Sequence, residues 1–267
     1  MLENVDLGLK LRKKVYKAQR PKLQQRLYAL QRACMDAGLP VIVVFEGWDA
    51  AGKSAVQKTL TQHLDPRGLV MHDIQPPRTY ETLMPWLWRF WLKIPRYGET
   101  AIFYHSWYER VLRERVKGSL SRQDLSKAFR DITNFERALA DDGYVITKLF
   151  FHISQEEQER RLTEMESDPL SNWRVRPEHW ERHQRYAQYV TAIKEMLKRT
   201  DTPAAPWTVI PATNFRWACV MAFETVIAQI ESALGARCVA LPVEDSVGEP
   251  ALGNAPGILA RAGEEGK

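Results

Sequence analysis

The hydrophobic positions of this chain form short apolar runs that alternate with stretches of helical spacing. The first clear run, VIVVF at 41–45, is apolar at every position and rich in β-branched residues, which is typical of a strand buried on both faces of a parallel sheet. Further runs predict strands at 69–74, 100–104, 144–153 and 207–211. Five strands separated by helices predict right-handed crossovers and an α/β fold, with one parallel five-stranded sheet flanked by helices.

The stretches between these strands carry apolar residues at helical spacing. Near the N-terminus a basic segment up to Pro21 lacks this period and predicts irregular chain, and a helix is predicted from Lys22 to Gly38. Later helices are predicted at 86–92, 121–143, 155–165, 177–199 and 214–234, with a loop at 167–176. We therefore divide the chain into a basic N-terminal segment with its helix (1–38), a domain (39–234) and a disordered tail (235–267), which is rich in Gly, Pro, Ala and Glu.

Composition narrows the class of protein. Hydrophobic residues make up 45% of the 267 residues, enough for a core, and the formal net charge is +5. A basic excess suits nucleic acid, an anionic membrane surface or a small polyanionic substrate. The basic N-terminus carries neither a series of interleaved aromatic residues nor a recognised nucleic-acid-binding module. We also see neither an apolar run long enough to span a bilayer nor a secretory signal, so no nucleic-acid or membrane partner is expected. The three cysteines form no zinc or disulfide pattern, which favours a cytoplasmic protein.

A glycine-containing segment directly follows the first predicted strand. In EGWDAAGKS (46–54), Gly47, Gly52, Lys53 and Ser54 occupy the fixed positions of the pattern G-x-x-x-x-G-K-[ST]. Glycine lets backbone N–H groups approach a phosphate closely, the following helix offers its positive end, and lysine neutralises charge. The serine hydroxyl would serve as a ligand to Mg²⁺. We interpret the segment as a phosphate-binding loop, with a purely structural turn as the alternative.

Asp49 lies inside this loop. A carboxylate among amides that bind phosphate is electrostatically unfavourable unless a metal ion or a proton transfer requires it. Asp49 is therefore a candidate catalytic residue and metal ligand, and an exposed loop aspartate is the alternative.

Several motifs together resemble the polyphosphate kinase 2 family. The Asp-Ala-Ala-Gly-Lys core at 49–53 resembles the Walker A segment of that family. The resemblance continues through LDPRG (64–68), LWRFW (87–91), SWYER (106–110), the segment 168–175 and RTDTPAAPWTVIPA (199–212). It spans about residues 5–234. It implies a thymidylate-kinase-like P-loop fold with a lid, here at about 155–180, and transfer of a phosphoryl group between polyphosphate and an adenine or guanine nucleotide with Mg²⁺. It also implies a homo-oligomer, either a dimer or a tetramer.

The resemblance also implies roles for individual residues. Asp49 matches the aspartate that orients or deprotonates the acceptor phosphate, and Lys53 matches the lysine that holds the transferred group. Arg110 matches a phosphate-binding arginine, and Arg174 takes the place of a basic lid residue. The loop residues expected to bind phosphate are Gly47, Ala50, Ala51, Gly52, Lys53 and Ser54, with His105 and Arg174 completing the set.

One segment departs from the family pattern. Where the family has Asp-Arg before Ser-Trp-Tyr, this chain has Tyr104 and His105. The change removes a carboxylate from the expected Mg²⁺ site. Glu109, one helical turn further on, is the nearest other carboxylate and is expected to be solvated. Besides the polyphosphate-dependent enzyme, two alternatives therefore stay open: a catalytically impaired relative that only binds its ligands, and an ATP-dependent nucleoside-monophosphate kinase.

Three further groups of residues have both functional and structural interpretations. Trp86, Trp88 and Trp91 are expected to pack in the core rather than stack on bases. The pair His179 and His183 is expected at the surface, since no third metal ligand is near in the sequence. Four arginines could line a polyanion channel or could form a solvated helix face: Arg160, Arg161, Arg182 and Arg185.

Overall fold

The structure is a computed structural model that describes residues 2–242. Its centre is a parallel sheet with strand order β2-β3-β1-β4-β5. The strands are β1 Val41–Gly47, β2 Leu69–Asp73, β3 Thr100–Tyr104, β4 Val145–His152 and β5 Trp207–Pro211. The predicted parallel five-stranded sheet is thus confirmed.

Helices lie on both faces of this sheet. Two features matter for the site: α2 starts directly after the loop that follows β1, and a π-helical turn follows β3. The helices are α1 Lys13–Ala37, α2 Lys53–Thr61, α3 Thr79–Thr82, α4 Trp88–Trp91, α5 Arg122–Asp141, α6 Gln155–Ser167, α7 Pro177–Gln184, α8 Tyr186–Thr200 and α9 Phe215–Ala236, and the π-helical turn is Arg110–Glu114.

The burial of the three central strands explains why their sequences are apolar. β4 is buried along its whole length, and so is almost all of β1 and β3. β1 pairs with β3 on one side, in a register that sets Phe45 beside Tyr104, and with β4 on the other, where Gly47 lies beside Phe151. The carboxyl ends of the central strands therefore meet at one edge, where parallel α/β sheets bind their ligands.

α9 is the most apolar helix in this packing. Among residues 2–242 it alone is long and apolar enough to cross a membrane, and 61% of its most apolar window is buried inside the protein. Such burial is typical of a core helix, so its length and apolarity are weak evidence for membrane insertion.

The N-terminal segment differs from its prediction. α1 begins at Lys13 and includes Pro21, so the chain is helical where irregular structure was predicted. Tyr16, on the added turns, is buried, hydrogen-bonds the Sγ of Cys219 at 3.5 Å and packs edge-on against Phe215. These contacts with α9 stabilise a helix that the proline alone disfavours.

Two other predictions need correction. The helix predicted at 177–199 is interrupted at Arg185, which separates α7 from α8. The helix predicted at 86–92 is only one turn long, α4. Within it Phe90 is buried, whereas Trp91 is 43% exposed and contacts Phe135 edge-on. The prediction that Trp91 packs in the core was therefore wrong. The predicted tail is described only as far as residue 242, and the rest of it lies outside the described residues.

A buried ion pair anchors the segment that follows β3. Lys148 on β4 and Glu136 on α5 lie 2.8 Å apart, with side chains 0% and 1% exposed. Glu136 also accepts hydrogen bonds from the indole of Trp107 and the hydroxyl of Tyr108, at 3.0 and 2.7 Å. Lys148 donates as well to the carbonyl of Thr200 at the end of α8. The side chains of Lys148 and Glu136 thus join β4, α5, α8 and the segment after β3.

We expect Lys148→Met to destabilise the protein by about 3–5 kcal/mol, since it leaves the carboxylate of Glu136 buried without its cation. The double variant Lys148→Met with Glu136→Gln should lose less than the single one, because no buried charge remains. Urea denaturation measures both. Arg160→Gln, which breaks an exposed pair on α6, is the control and should leave the midpoint unchanged. Equal losses in the single and double variants would contradict the prediction.

Candidate active site

The loop between β1 and α2 turns sharply at two glycines. At Gly47, with φ of 132°, an added Cβ would lie 2.4 Å from the carbonyl oxygen of Phe151, so only glycine fits beside β4. Gly52, with φ of 86°, is the residue before the first turn of α2. The predicted strand–loop–helix context of a phosphate-binding loop is therefore present.

Side chains hold four consecutive carbonyl groups of this loop. Lys53, 3% exposed, donates from Nζ to the carbonyls of Gly47 and Trp48 at 2.8 and 2.7 Å. On α6, Gln158 donates to the carbonyl of Asp49 at 3.2 Å, and Arg161 donates to that of Ala50 at 3.0 Å. Arg161 also donates to the carbonyls of Ala212 and Thr213, which follow β5. The oxygens of the loop are thereby fixed from outside.

The amides of the same loop are left as donors. Within residues 2–242, no group accepts a hydrogen bond from the N–H of Asp49, Ala50 or Gly52. Lys53 and Ser54 begin α2, where N–H groups have no partner inside the helix. A loop with these four carbonyls occupied and these N–H groups free suits an anion.

Trp48 connects the loop to α8 and β4. Its indole N–H donates to Nδ1 of His152 at 2.9 Å, and its ring stacks on Tyr186 with centroids 4.0 Å apart. Burial lowers the pKa of His152 to about 4, so the imidazole is neutral and can accept this bond. The side chain of Trp48 thus holds the loop against α8.

Asp49 is paired with an arginine from α7. The Nε of Arg182 lies 2.5 Å from Oδ2 of Asp49, and the two side chains are 20% and 16% exposed. Burial alone would raise the pKa of Asp49, but the attraction of Arg182, with smaller contributions from Lys53 and His179, keeps it below its usual value. Asp49 is therefore ionised, although it lies in a loop suited to anions.

At the end of β3, Tyr104 points to the start of α2. Its hydroxyl lies 3.0 Å from Oγ of Ser54, and the Nζ of Lys53 lies 5.7 Å from its ring centre. The hydroxyl of Ser54, which the pattern assigns to Mg²⁺, is thus bonded to a tyrosine. Both residues line a cleft of about 320 Å³ that continues along the end of β2 and is completed by Gln57, Met71, His72 and Asp73.

His105 lies between two carboxylates, and its backbone is left-handed, with φ of 59°. Its Nδ1 is 3.3 Å from Glu109 and 4.0 Å from Glu46. Burial opposes the charged imidazole, but Glu109 and Glu46 outweigh it and raise the pKa of His105 to about 10. Glu109 also pairs with Arg113, so its expected solvation was wrong: the carboxylate is half-buried and compensated twice.

Of the other candidate residues, one lies within this loop and two lie away from it. Ala51 is buried within it. Arg110 pairs with Glu114 at 2.9 Å and lies over the ring of Trp86. Arg174 is exposed in the segment predicted to be a lid and lies over Trp173. Within residues 2–242, neither arginine contacts the loop 47–54, so their phosphate-binding roles stay predictions.

The histidine pair needs correction. His183 is buried, and its Nδ1 lies 3.0 Å from Oε1 of Gln158, the glutamine that also holds the loop. The sequence considered Arg161 and Arg182 only among four possible channel residues, and missed that each contacts the loop itself. Arg160 instead pairs with Glu157 and Glu164 on its own exposed helix face, which is the structural alternative. The spacing of four between His105 and Glu109 was the one local signal for that pair.

Comparisons with known proteins agree with this arrangement. Residues 10–237 match the sequence profile of the family described as Polyphosphate kinase 2 (PPK2). The chain belongs to the polyphosphate kinase 2 family. It is 37% identical over 233 residues to a polyphosphate:AMP phosphotransferase of Pseudomonas aeruginosa, covering 87% of this chain and 47% of that protein. It is 34% identical over 215 residues to ADP-polyphosphate phosphotransferase 3 of Rhizobium meliloti, covering 80% and 76% of the two chains.

Solved structures of the polyphosphate kinase 2 family show the same fold. The crystal structure of a polyphosphate kinase 2 from Arthrobacter aurescens is similar with a TM-score of 0.83 and 26% identity, over 92% of this chain and 89% of the other. The P-loop kinase fold is thus confirmed. The chain spans about half the length of the polyphosphate:AMP phosphotransferases that it matches.

The environment of His105 predicts a measurable pH dependence. Since its folded pKa of about 10 lies above the ordinary 6.5, the ion pair should stabilise the fold fully below about pH 6.5, and this contribution should be lost as the pH rises through about 10. Glu109→Gln should lower the pKa of His105, and ¹⁵N NMR of the imidazole would measure it. Glu114→Gln, whose carboxylate pairs with Arg110 instead, is the control. A pKa near 6.5 in the unmodified protein would contradict the assignment.

Proposed function

We propose that this chain is a polyphosphate-dependent nucleotide phosphotransferase, which moves a phosphoryl group between polyphosphate and a nucleoside mono- or diphosphate. The observation that supports this most is the loop 47–54. Side chains hold the carbonyls of residues 47–50, and the N–H groups of Asp49, Ala50 and Gly52 have no acceptor within residues 2–242. Relatives named as polyphosphate:AMP and ADP-polyphosphate phosphotransferases support the substrates.

In the proposed reaction an oxygen of the acceptor phosphate attacks the terminal phosphorus of polyphosphate. The bond from that phosphorus to the bridging oxygen breaks, and the shortened polyphosphate leaves with the electron pair. The free N–H groups and Lys53 would hold the negative oxygens of the transferred group, with Lys53 exchanging its two carbonyl partners for phosphate. Asp49, ionised at neutral pH, would orient the acceptor.

Mg²⁺ is part of this proposal. Magnesium is held in such enzymes by one or two carboxylates together with substrate phosphates. The loop offers Asp49 and the hydroxyl of Ser54 for this purpose, and the bound ion would neutralise charge on the transferred group. Glu46, His105 and Glu109 have ligand atoms within 4.8 Å of one another. That group fits a metal poorly, because an imidazole with a pKa of about 10 is protonated at neutral pH.

The activity is tested by incubating the protein with Mg²⁺, polyphosphate and AMP, ADP or GDP, and separating the nucleotides chromatographically. We expect a nucleotide one phosphate longer, and no such product when ATP replaces polyphosphate as donor for AMP. Lys53→Met should reduce the rate by about 10²–10³. Product with ATP alone would instead support an ATP-dependent kinase.

A second candidate, a relative that binds these ligands without transfer, is favoured by Tyr104. Its hydroxyl bonds Ser54 where the family pattern implies a metal-organising carboxylate. If this substitution limits the rate, Tyr104→Asp with His105→Arg should raise polyphosphate turnover by about 10²–10³ and lower the Mg²⁺ concentration required. A slower double variant would contradict this interpretation. No transfer by either protein would favour the binding-only function.

A further inference from the structure

α7 brings an arginine to the phosphate-binding loop. Arg182 lies 133 positions from Asp49 in the sequence, and the two side chains form an ion pair at the mouth of the loop. An arginine guanidinium keeps its charge at all ordinary pH values, so this pair brings a permanent cation to the loop.

The fixed charges at the loop favour an anionic ligand even when no metal ion is bound. Two cations, Lys53 and Arg182, face the carboxylate of Asp49. Glu109 also attracts Arg182, but its carboxylate is already paired with His105 and Arg113. At the end of β3, Tyr104 contributes a hydroxyl instead of a second carboxylate. Mg²⁺ therefore finds few anionic ligands here, whereas a phosphate finds two fixed positive groups.

The guanidinium of Arg182 has unused donors. Only its Nε is bonded to Asp49, and within residues 2–242 no group accepts a hydrogen bond from its two terminal nitrogens. A guanidinium presents its nitrogens as a planar fork that matches two oxygens of one phosphate. An anion in the loop can therefore reach Arg182 while the pair with Asp49 persists.

We propose that Arg182 binds a phosphate of the polyphosphate chain beside the loop and supplies positive charge that a divalent metal would otherwise provide, so that this protein binds polyphosphate without Mg²⁺. The inference rests on the proposed function, because it takes polyphosphate as the ligand. It concerns binding, and it holds whether or not transfer is fast.

Binding of a short polyphosphate of defined length is measured by isothermal titration calorimetry at fixed ionic strength, once with Mg²⁺ and once with EDTA. We expect the dissociation constant of the unmodified protein to differ by less than about threefold between the two conditions. Arg182→Gln should weaken binding in EDTA by about 10–100-fold, the loss of a hydrogen bond between charged groups. Arg182→Lys, which keeps the charge but not the fork, should lie between. Arg160→Gln, whose side chain pairs with Glu157 and Glu164 on its own helix, should bind as the unmodified protein does.

Asp49→Asn separates binding from a merely structural role. If Arg182 served only to hold Asp49, removing either partner would weaken binding equally. If Arg182 binds phosphate, Asp49→Asn should tighten polyphosphate binding, because a repelling charge has gone, while Arg182→Gln weakens it. Thermal melts of both variants show whether they are folded.

Three results would overturn the inference: loss of binding when EDTA replaces Mg²⁺, equal affinities of Arg182→Gln and Arg160→Gln, or weaker binding of Asp49→Asn. If Lys53→Met abolishes binding but Arg182→Gln does not, the role of Arg182 fails and the proposed function stands. If binding follows the expected pattern but no nucleotide is phosphorylated, the proposed activity fails and the role of Arg182 stands.

Discussion

The buried pair of Lys148 and Glu136 is the interaction on which the arrangement of the site depends. An ion pair inaccessible to water is tolerated only when each remaining polar atom has a partner, and here the pair and its hydrogen-bond partners together come from four elements. Trp107 and Tyr108 are held by Glu136, so the neighbouring His105 and Glu109 are placed at the end of β3. The buried polar network thus positions residues at the edge of the sheet where ligands are expected to bind.

Around the loop, almost every charge already has an opposite charge within the protein. Asp49 has Arg182, Glu109 has His105 and Arg113, and Glu157 has Arg161. Such pairing keeps several ionised groups close together without mutual repulsion. It also means that a ligand at this edge adds to ion pairs that already exist, such as that of Arg182 with Asp49, rather than satisfying isolated charges.

Much of the fold followed from local pattern. β3 and β5 have the predicted bounds, because a short apolar run between turn residues marks where each strand starts and ends. The start of α1 was missed because Pro21 suggests a boundary, whereas the contact of Tyr16 with α9 joins residues about 200 positions apart. The site was predicted to the same extent. Gly47, Asp49 and Lys53 were found from one short motif. The pairing of Asp49 with Arg182 could not be predicted, because it depends on how α7 packs and not on the spacing of neighbouring residues.

The fixation of the loop has an entropic consequence. Since Lys53, Gln158 and Arg161 already hold its carbonyls, and Trp48 is stacked on Tyr186, the backbone from 47 to 50 has little freedom left to lose. Ordering a flexible loop would oppose association by roughly 1–2 kcal/mol per residue. A loop ordered beforehand leaves more of the attraction between phosphate and amides to appear as affinity. Gln158 and Arg161 on α6, which hold the loop from a neighbouring helix, therefore contribute to ligand binding by restricting the unbound protein.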